Sequence, residues 1–341
     1  MSYDVEVATH TRPDGLEAPD GVTVDGPVAA EPDDLAEALA AAVLAPRWLT
    51  TLSVPYDASQ RRRDALRSLA RRLAQEHEGA AYDPQEDAVF FPRGRPKRVP
   101  AGKAEKTSIV RLAWYVDAER WAQAPAVLLT AIARRCPEAL PTRYGVYEPP
   151  QGRYDPTAPD AFTALARDDS SFWFASRPFF GGDSSPPERG TGKLGVQVDW
   201  RVLDTDPRWR ETVVDLFAGA APALGAFYAE AWVEPGWEVS RNNRLWISAG
   251  RKTRGSALGR DGWEGLPAEP AWLTWFGGSY SEPVAAALAE ATPRRRRLLG
   301  RPAAAPSVDA RPEGLLVRLG EQPRAKLPPL RLPPELVRPR G

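Results

Sequence analysis

Cysteine is all but missing from this chain. Cys136 is the only one in 341 residues, so no intrachain disulfide can form and a thiolate zinc site is excluded. Histidine is nearly as scarce. With His10 and His77 alone, no metal site is expected, and nucleophilic catalysis that depends on histidine is not expected either. Long apolar runs are lacking too. The longest Ala/Leu/Val stretch, residues 35–45, is interrupted by Glu37 and is too short to span a bilayer. The opening MSYDVEVATH has neither a basic start nor an apolar core, so the expectation is no export, no membrane anchor and a cytoplasmic location. Finally, no charge predominates. Lys+Arg and Asp+Glu stand at 45 each, which argues against general nucleic-acid affinity, because phosphate binding needs a surplus of cations on one surface.

What is present is apolar and aromatic. Hydrophobic residues make up 43% and aromatics 9% of the chain, enough for one large core or two ordinary ones. Neutrality conceals an asymmetry: residues 293–341 hold twelve Arg or Lys against four Asp or Glu, a net of +8, so residues 1–292 carry about −8. An acidic body precedes a basic, proline-rich tail.

The pattern predicts strands near residues 3–9, 22–24 and 48–54. A helix opens at Pro32 and Asp33, and a second follows Ser59 with Leu66, Leu69 and Leu73 on one face. A hairpin spans 80–91. Residues 92–106, PRGRPKRVPAGKAEK, are polar and broken by proline, and mark the best boundary. Beyond it come a strand at 109–116, a helix burying Trp121, Leu128, Leu129 and Ile132, and strands at 142–147 and 172–176. The clearest alternation runs through Leu194, Val196, Val198, Trp200 and Val202, with Gly195, Gln197, Asp199 and Arg201 on the opposite side. Asp206 and Pro207 then start a helix, a strand is expected at 227–233, another helix at 283–291 and a last strand at 315–319. The expected class is α+β: two ferredoxin-like sandwich units, each an antiparallel sheet with helices packed on one face, at 1–95 and 107–320. Residues 321–341 form a Pro-rich tail, either extended over the surface or mobile.

Few residues suggest chemistry. The string ERGTGKL at 188–194 fails as a phosphate loop, because the first glycine position is Pro187, the hydroxyl position is Leu194 and a strand follows where a helix is required. Cys136 ends a helix, where the dipole opposes a thiolate, and reads as a buried small residue. Glu148, Asp168, Asp169, Asp199 and Glu230 could serve as acid and base beside a tryptophan platform if their strands adjoin, as in a hydrolase acting on a carbohydrate or other small molecule. Against that, charges on an exposed sheet face are ordinary. The tryptophans lie on apolar periodicities and read as core. Residues 271–284, AWLTWFGGSYSEPV, set two tryptophans and a phenylalanine against a glycine pair and carry no catalytic polar group, which points to packing or partner contact.

Over roughly 109–319, the succession RYGVYEPP (143–150), FYAEAWV (227–233), AWLTWFGGSYSEPV (271–284) and EGLLVRLG (313–320) resembles the bacterial immunity proteins that neutralise polymorphic and type VI secretion toxins. WLTWFGGSY is the part most similar to that family's tryptophan-and-glycine segment. The first hundred residues and the Pro/Arg tail have no counterpart in it. The resemblance implies a non-enzymatic protein that needs no cofactor and occludes a cognate toxin through an acidic surface. On this chain the expected partner-binding residues are Tyr147, Glu148, Asp199, Glu230 and Trp232. A hydrolase, or a scaffold for an unknown partner, are the alternatives.

Overall fold

The computed structural model describes residues 2–30, 35, 39, 42–43, 45–55, 57–84, 88–90, 97–98, 105–147, 150, 152–239, 245–247, 258–259, 262–295 and 306–338. The chain is α+β with antiparallel sheets, and divides into two compact units. The smaller comprises residues 1–104 with 240–242, and the larger comprises 105–239 with 243–341.

In the smaller unit, β1 (Ser2–Thr9), β2 (Thr23–Ala29), β3 (Trp48–Pro55), β4 (Ala80–Asp83), β5 (Ala88–Phe90) and β6 (Lys97–Arg98) form one sheet in the order β2-β3-β1-β4-β5-β6. Helix α1 (Gln60–Glu76) buries Leu66, Leu69, Ala70, Leu73 and Ala74, a stripe that recurs every three to four residues as an amphipathic helix requires. These pack with Val5, Val7, Leu52 and Val54 from β1 and β3. Ser59 takes the N-cap position without a side-chain capping bond. The helix expected from Pro32 lies mostly outside the described residues, although Leu35, Leu39 and Val43 are buried.

The larger unit is built on β7 (Glu105–Asp117), α2 (Ala124–Arg135), β8 (Arg143–Gly145), β9 (Gly152–Arg153), α3 (Asp160–Asp168), β10 (Ser171–Phe174), β11 (Phe179–Ser185) and β12 (Thr191–Asp199). There follow α4 (Trp200–Thr205), α5 (Pro207–Leu224), β13 (Tyr228–Val239), β14 (Leu245–Ile247), β15 (Leu258–Gly259), β16 (Gly262–Trp263), β17 (Leu273–Gly277), α6 (Ser281–Arg295), β18 (Ser307–Arg311) and β19 (Gly314–Arg318). The main sheet runs β18-β19-β17-β13-β7-β12-β11-β10-β8-β9, with β14 paired to β13, and β15 and β16 pair separately.

Alternation along β7 and β13 divides two cores. Leu112, Trp114, Ala229 and Ala231 face α2 and α5. Ala113, Tyr115 and Tyr228 face the other way, toward Phe276 of β17, Val284 and Leu288 of α6, and Leu327, Leu330, Leu332 and Leu336 of the C-terminal segment. Helical cover is therefore not confined to one side of this sheet. The C-terminal segment is held by contacts to both cores: Leu330, Leu332 and Leu336, the last in a 3-10 turn at Pro334–Leu336, pack on the second, and Leu327 packs on both. The Trp200 indole donates to the Pro323 carbonyl at 2.9 Å, and Leu266 exchanges backbone hydrogen bonds with Leu336 and Arg338 at 2.8 and 3.0 Å.

One expectation needs correction. The alternation through Trp200 and Val202 is not all strand: β12 stops at Asp199, whose carboxylate accepts from the Arg201 amide at 3.0 Å and caps α4. A satisfied helix N-terminus there outweighs the apolar alternation. Helix α1 is closed by the Gly79 amide, which donates to the Ala74 carbonyl at 2.7 Å after Glu78 turns the backbone at φ +52.

Candidate partner-binding site

Four of the five expected residues are described, and Glu148 lies outside the described residues. All four belong to the larger unit. Tyr147 follows β8 in a turn and is 51% exposed. Trp232 sits on β13, half-buried, opposite Arg111 of β7. Tyr147 thus follows a strand five sheet positions from Trp232, or about 24 Å at ordinary strand spacing.

Asp199 and Glu230 are engaged where they sit. Besides capping α4, Asp199 forms a fork with the Arg201 guanidinium, with Nη2 at 2.7 Å and Nε at 3.0 Å, and Arg201 also pairs with Glu105. Burial and two carboxylates oppose one another at Arg201, and the hydrogen bond to Asp199 leads in keeping it charged. Glu230 is 1% exposed. Its carboxylate accepts from the Tyr115 hydroxyl at 3.4 Å and the Tyr228 hydroxyl at 3.3 Å. Both rings pack against Trp263, so the acid is held inside an aromatic cluster, as a buried charge must be hydrogen-bonded to be tolerated.

The strand register separates these two carboxylates. Asp199 is paired with Ile109 and Glu230 with Ala113, on strands that flank β7 on opposite sides. Four residues along a strand are about 13 Å. Asp168 is exposed and pairs with Arg167 at 2.8 Å, which lowers its pKa through that hydrogen bond. Asp169 precedes β10, and its carbonyl accepts from Ser184 at 3.5 Å.

Trp232 opens onto a cleft of about 430 Å³, lined also by Glu234, Glu269, Pro270, Arg324 and Lys326. Sequence reasoning missed every one of these partners, which come from β13, the approach to β17 and the C-terminal segment. It also missed a charged row across the sheet. Arg111 on β7 meets Asp183 on β11 at 2.6 Å and Glu234 at 3.8 Å, and Lys193 on β12 meets Asp183 at 2.7 Å. Burial by itself would raise the Asp183 pKa, but Arg111 and Lys193 outweigh it and hold the carboxyl at about 2. Only register brings these groups together, so no local motif announces them.

The aromatic segment is structural. Trp272, Trp275 and Phe276 are fully buried, and the indole of Trp275 donates to the Ala226 carbonyl at 3.0 Å. Its glycines have separate reasons. A Cβ on Gly277 would come 2.4 Å from the Ala226 carbonyl oxygen, and Gly278 has φ +53, a left-handed backbone that L side chains disfavour. Cys136 is buried, and burial pushes its thiol up to about 12, consistent with an unreactive core position.

No known protein family matches this chain, and no curated protein matches its sequence. Among solved structures, the Pseudomonas aeruginosa T6SS protein PA0821 is similar over 67% of this chain and 73% of that one, at 15% identity and a TM-score of 0.38. No helix among the described residues is long and apolar enough to cross a membrane.

Proposed function

We propose that this chain is a non-enzymatic binding protein of the immunity kind, which occludes a cognate bacterial toxin in the cytoplasm and needs no cofactor. The observation that carries this reading is the use of the two described site carboxylates. Asp199 caps and pairs within its own turn, and Glu230 is held under tyrosines. Their separation of about 13 Å along the strand alone exceeds the roughly 5 to 10 Å that paired acid and base groups use in glycoside hydrolysis. Exposed Tyr147 and the Trp232 cleft supply the aromatic anchors that protein interfaces favour. The immunity role and its secretion setting rest on the sequence resemblance of 109–319.

A ferredoxin-like plan for both units belongs to the same reading. In chain order within each group, β4-β1-β3-β2 and β13-β7-β12-β11 both run fourth, first, third, second. In each, a helix joins the third strand to the fourth. The smaller unit departs from that plan between its first two strands, where no helix lies among the described residues.

The test is titration of the purified chain with the product of any toxin-like gene that neighbours its own, followed by calorimetry, and a search of that neighbourhood that yields no such gene counts against the reading. A stoichiometric complex that silences the toxin is expected. Trp232→Ala and Tyr147→Ala should each weaken it about 30-fold, the effect of an interface anchor worth about 2 kcal/mol. Turnover of a small glycoside, abolished by Glu230→Gln in a folded variant, would replace this reading with the hydrolase.

A further inference from the structure

Helix α1 of the smaller unit carries Arg61, Arg62, Arg63, Arg67, Arg71 and Arg72 against only Asp64 and Glu76. They fall into two sets. Arg63 and Arg67 lie over the Tyr3 ring at 5.3 and 5.4 Å, and Arg67 also pairs with Asp83 at 3.2 Å. Arg61, Arg62, Arg71 and Arg72 are exposed. None of these four has a carboxylate within ion-pair distance among the described residues, and Asp64 is engaged by Gln60 at 3.0 Å.

This arrangement works against the helix. Its first turn holds three arginines, no acid and no side-chain cap, whereas the positive end of the helix dipole favours anions there. A local rule broken without an internal compensation marks a surface kept for something other than folding. Arg71 is also preorganised. Its guanidinium lies 5.3 Å over the Phe90 ring, a contact that limits the side chain's freedom and so lowers the entropy lost when a carboxylate binds.

We propose that the exposed face of α1 is a docking surface for an acidic protein segment. Arg61 and Arg72, eleven residues apart, share one meridian of the helix about 16 Å apart, with Arg71 beside the second. The fitting occupant presents carboxylates at that spacing. Protein is favoured over nucleic acid on two grounds. The rings that could stack bases, Tyr3 and Phe90, are buried beneath arginines, and the whole chain is electrically neutral, so it lacks the cation surplus that attracts a phosphate backbone.

The probe is a fluorescent poly-L-glutamate peptide of about 20 residues, titrated into the full chain at low salt and followed by anisotropy. Replacing Arg61, Arg62, Arg71 and Arg72 by alanine should weaken binding at least about tenfold with an unchanged circular dichroism spectrum. Arg208→Ala, which removes an exposed cation in the larger unit, should leave binding intact. If the fourfold variant does not fold, the pair Arg61→Gln and Arg62→Gln carries the same expectation at smaller size. Equal binding by variant and parent overturns the proposal, as does tighter binding of an oligonucleotide of matched length that displaces the peptide.

Discussion

The two units differ in how they cover most of their buried aromatic rings. In the smaller, Tyr3 and Phe90 are covered by guanidinium groups, and the cluster is closed by the Asp83 carboxylate that Tyr3 and Arg67 share. In the larger, Trp114 and Trp275 are roofed by carbon, and their indole N–H groups donate to backbone carbonyls of Phe217 and Ala226 at 3.3 and 3.0 Å; Trp272 donates to the Gly320 carbonyl at 3.3 Å and has the Arg318 guanidinium over its ring at 5.8 Å. A small sheet with one described long helix buries little apolar area and draws on cation–π contact and ion pairing. A sheet covered on both faces relies on volume, and satisfies its buried indoles through backbone carbonyls.

The contrast can be broken most forcefully from the larger side. Trp275→Ala should cost about 3 to 5 kcal/mol, because it leaves a cavity in a rigid layer and frees the Ala226 carbonyl. Denaturant unfolding monitored by tryptophan fluorescence should show the larger unit's transition at much lower denaturant. A loss under 1 kcal/mol would mean that the layer repacks and that volume is not what holds it. Tyr3→Phe tests the smaller side. It keeps the stacked ring and deletes the hydroxyl that donates to Asp83 and receives Arg67, so a loss of about 1 to 3 kcal/mol is expected. No change would assign the stability to stacking alone. The phenol's pKa is itself raised, first by burial and then by Asp83, so it stays neutral across the accessible range.

The smallest effect is a matter of acidity. Asp183 has a folded pKa of about 2, below the unfolded carboxyl at about 3.9. Its contribution is therefore complete above pH 4 and disappears as pH falls through 2. Lys193→Met removes one of the two cations that hold it down, so the acid limb of the larger unit's stability curve should shift to higher pH. An unmoved limb would leave Arg111 as the sole effective partner.

Legibility in the sequence followed period and locality. Leu66, Leu69 and Leu73, or Val213, Leu216 and Ala220, declare their helices because one stripe does all the burying. β11 stayed hidden because its FFGGDSS reads as a turn, yet Gly181 and Gly182 lie so close to Trp173 that any side chain there would collide. α4 was obscured by an apolar alternation that one capping carboxylate overrules. At the candidate site, Tyr147 and Trp232 could be chosen from residue type, although Tyr147 lies beyond the end of β8 and Trp232 lies within β13. Arg111, Asp183 and Lys193 could not, being 72 and 82 positions apart along the chain from the first and united only by pairing register.

Residues 327–336 lend four leucines to the second face of the larger sheet, and that has a bearing on biogenesis. While the ribosome is still making the chain up to β19, Tyr115, Tyr228 and Phe276 have only part of their cover. The nascent protein then presents an apolar plate that chaperones recognise and that sticks to its neighbours. Completion of this layer waits for the very stretch whose composition looked least like structure.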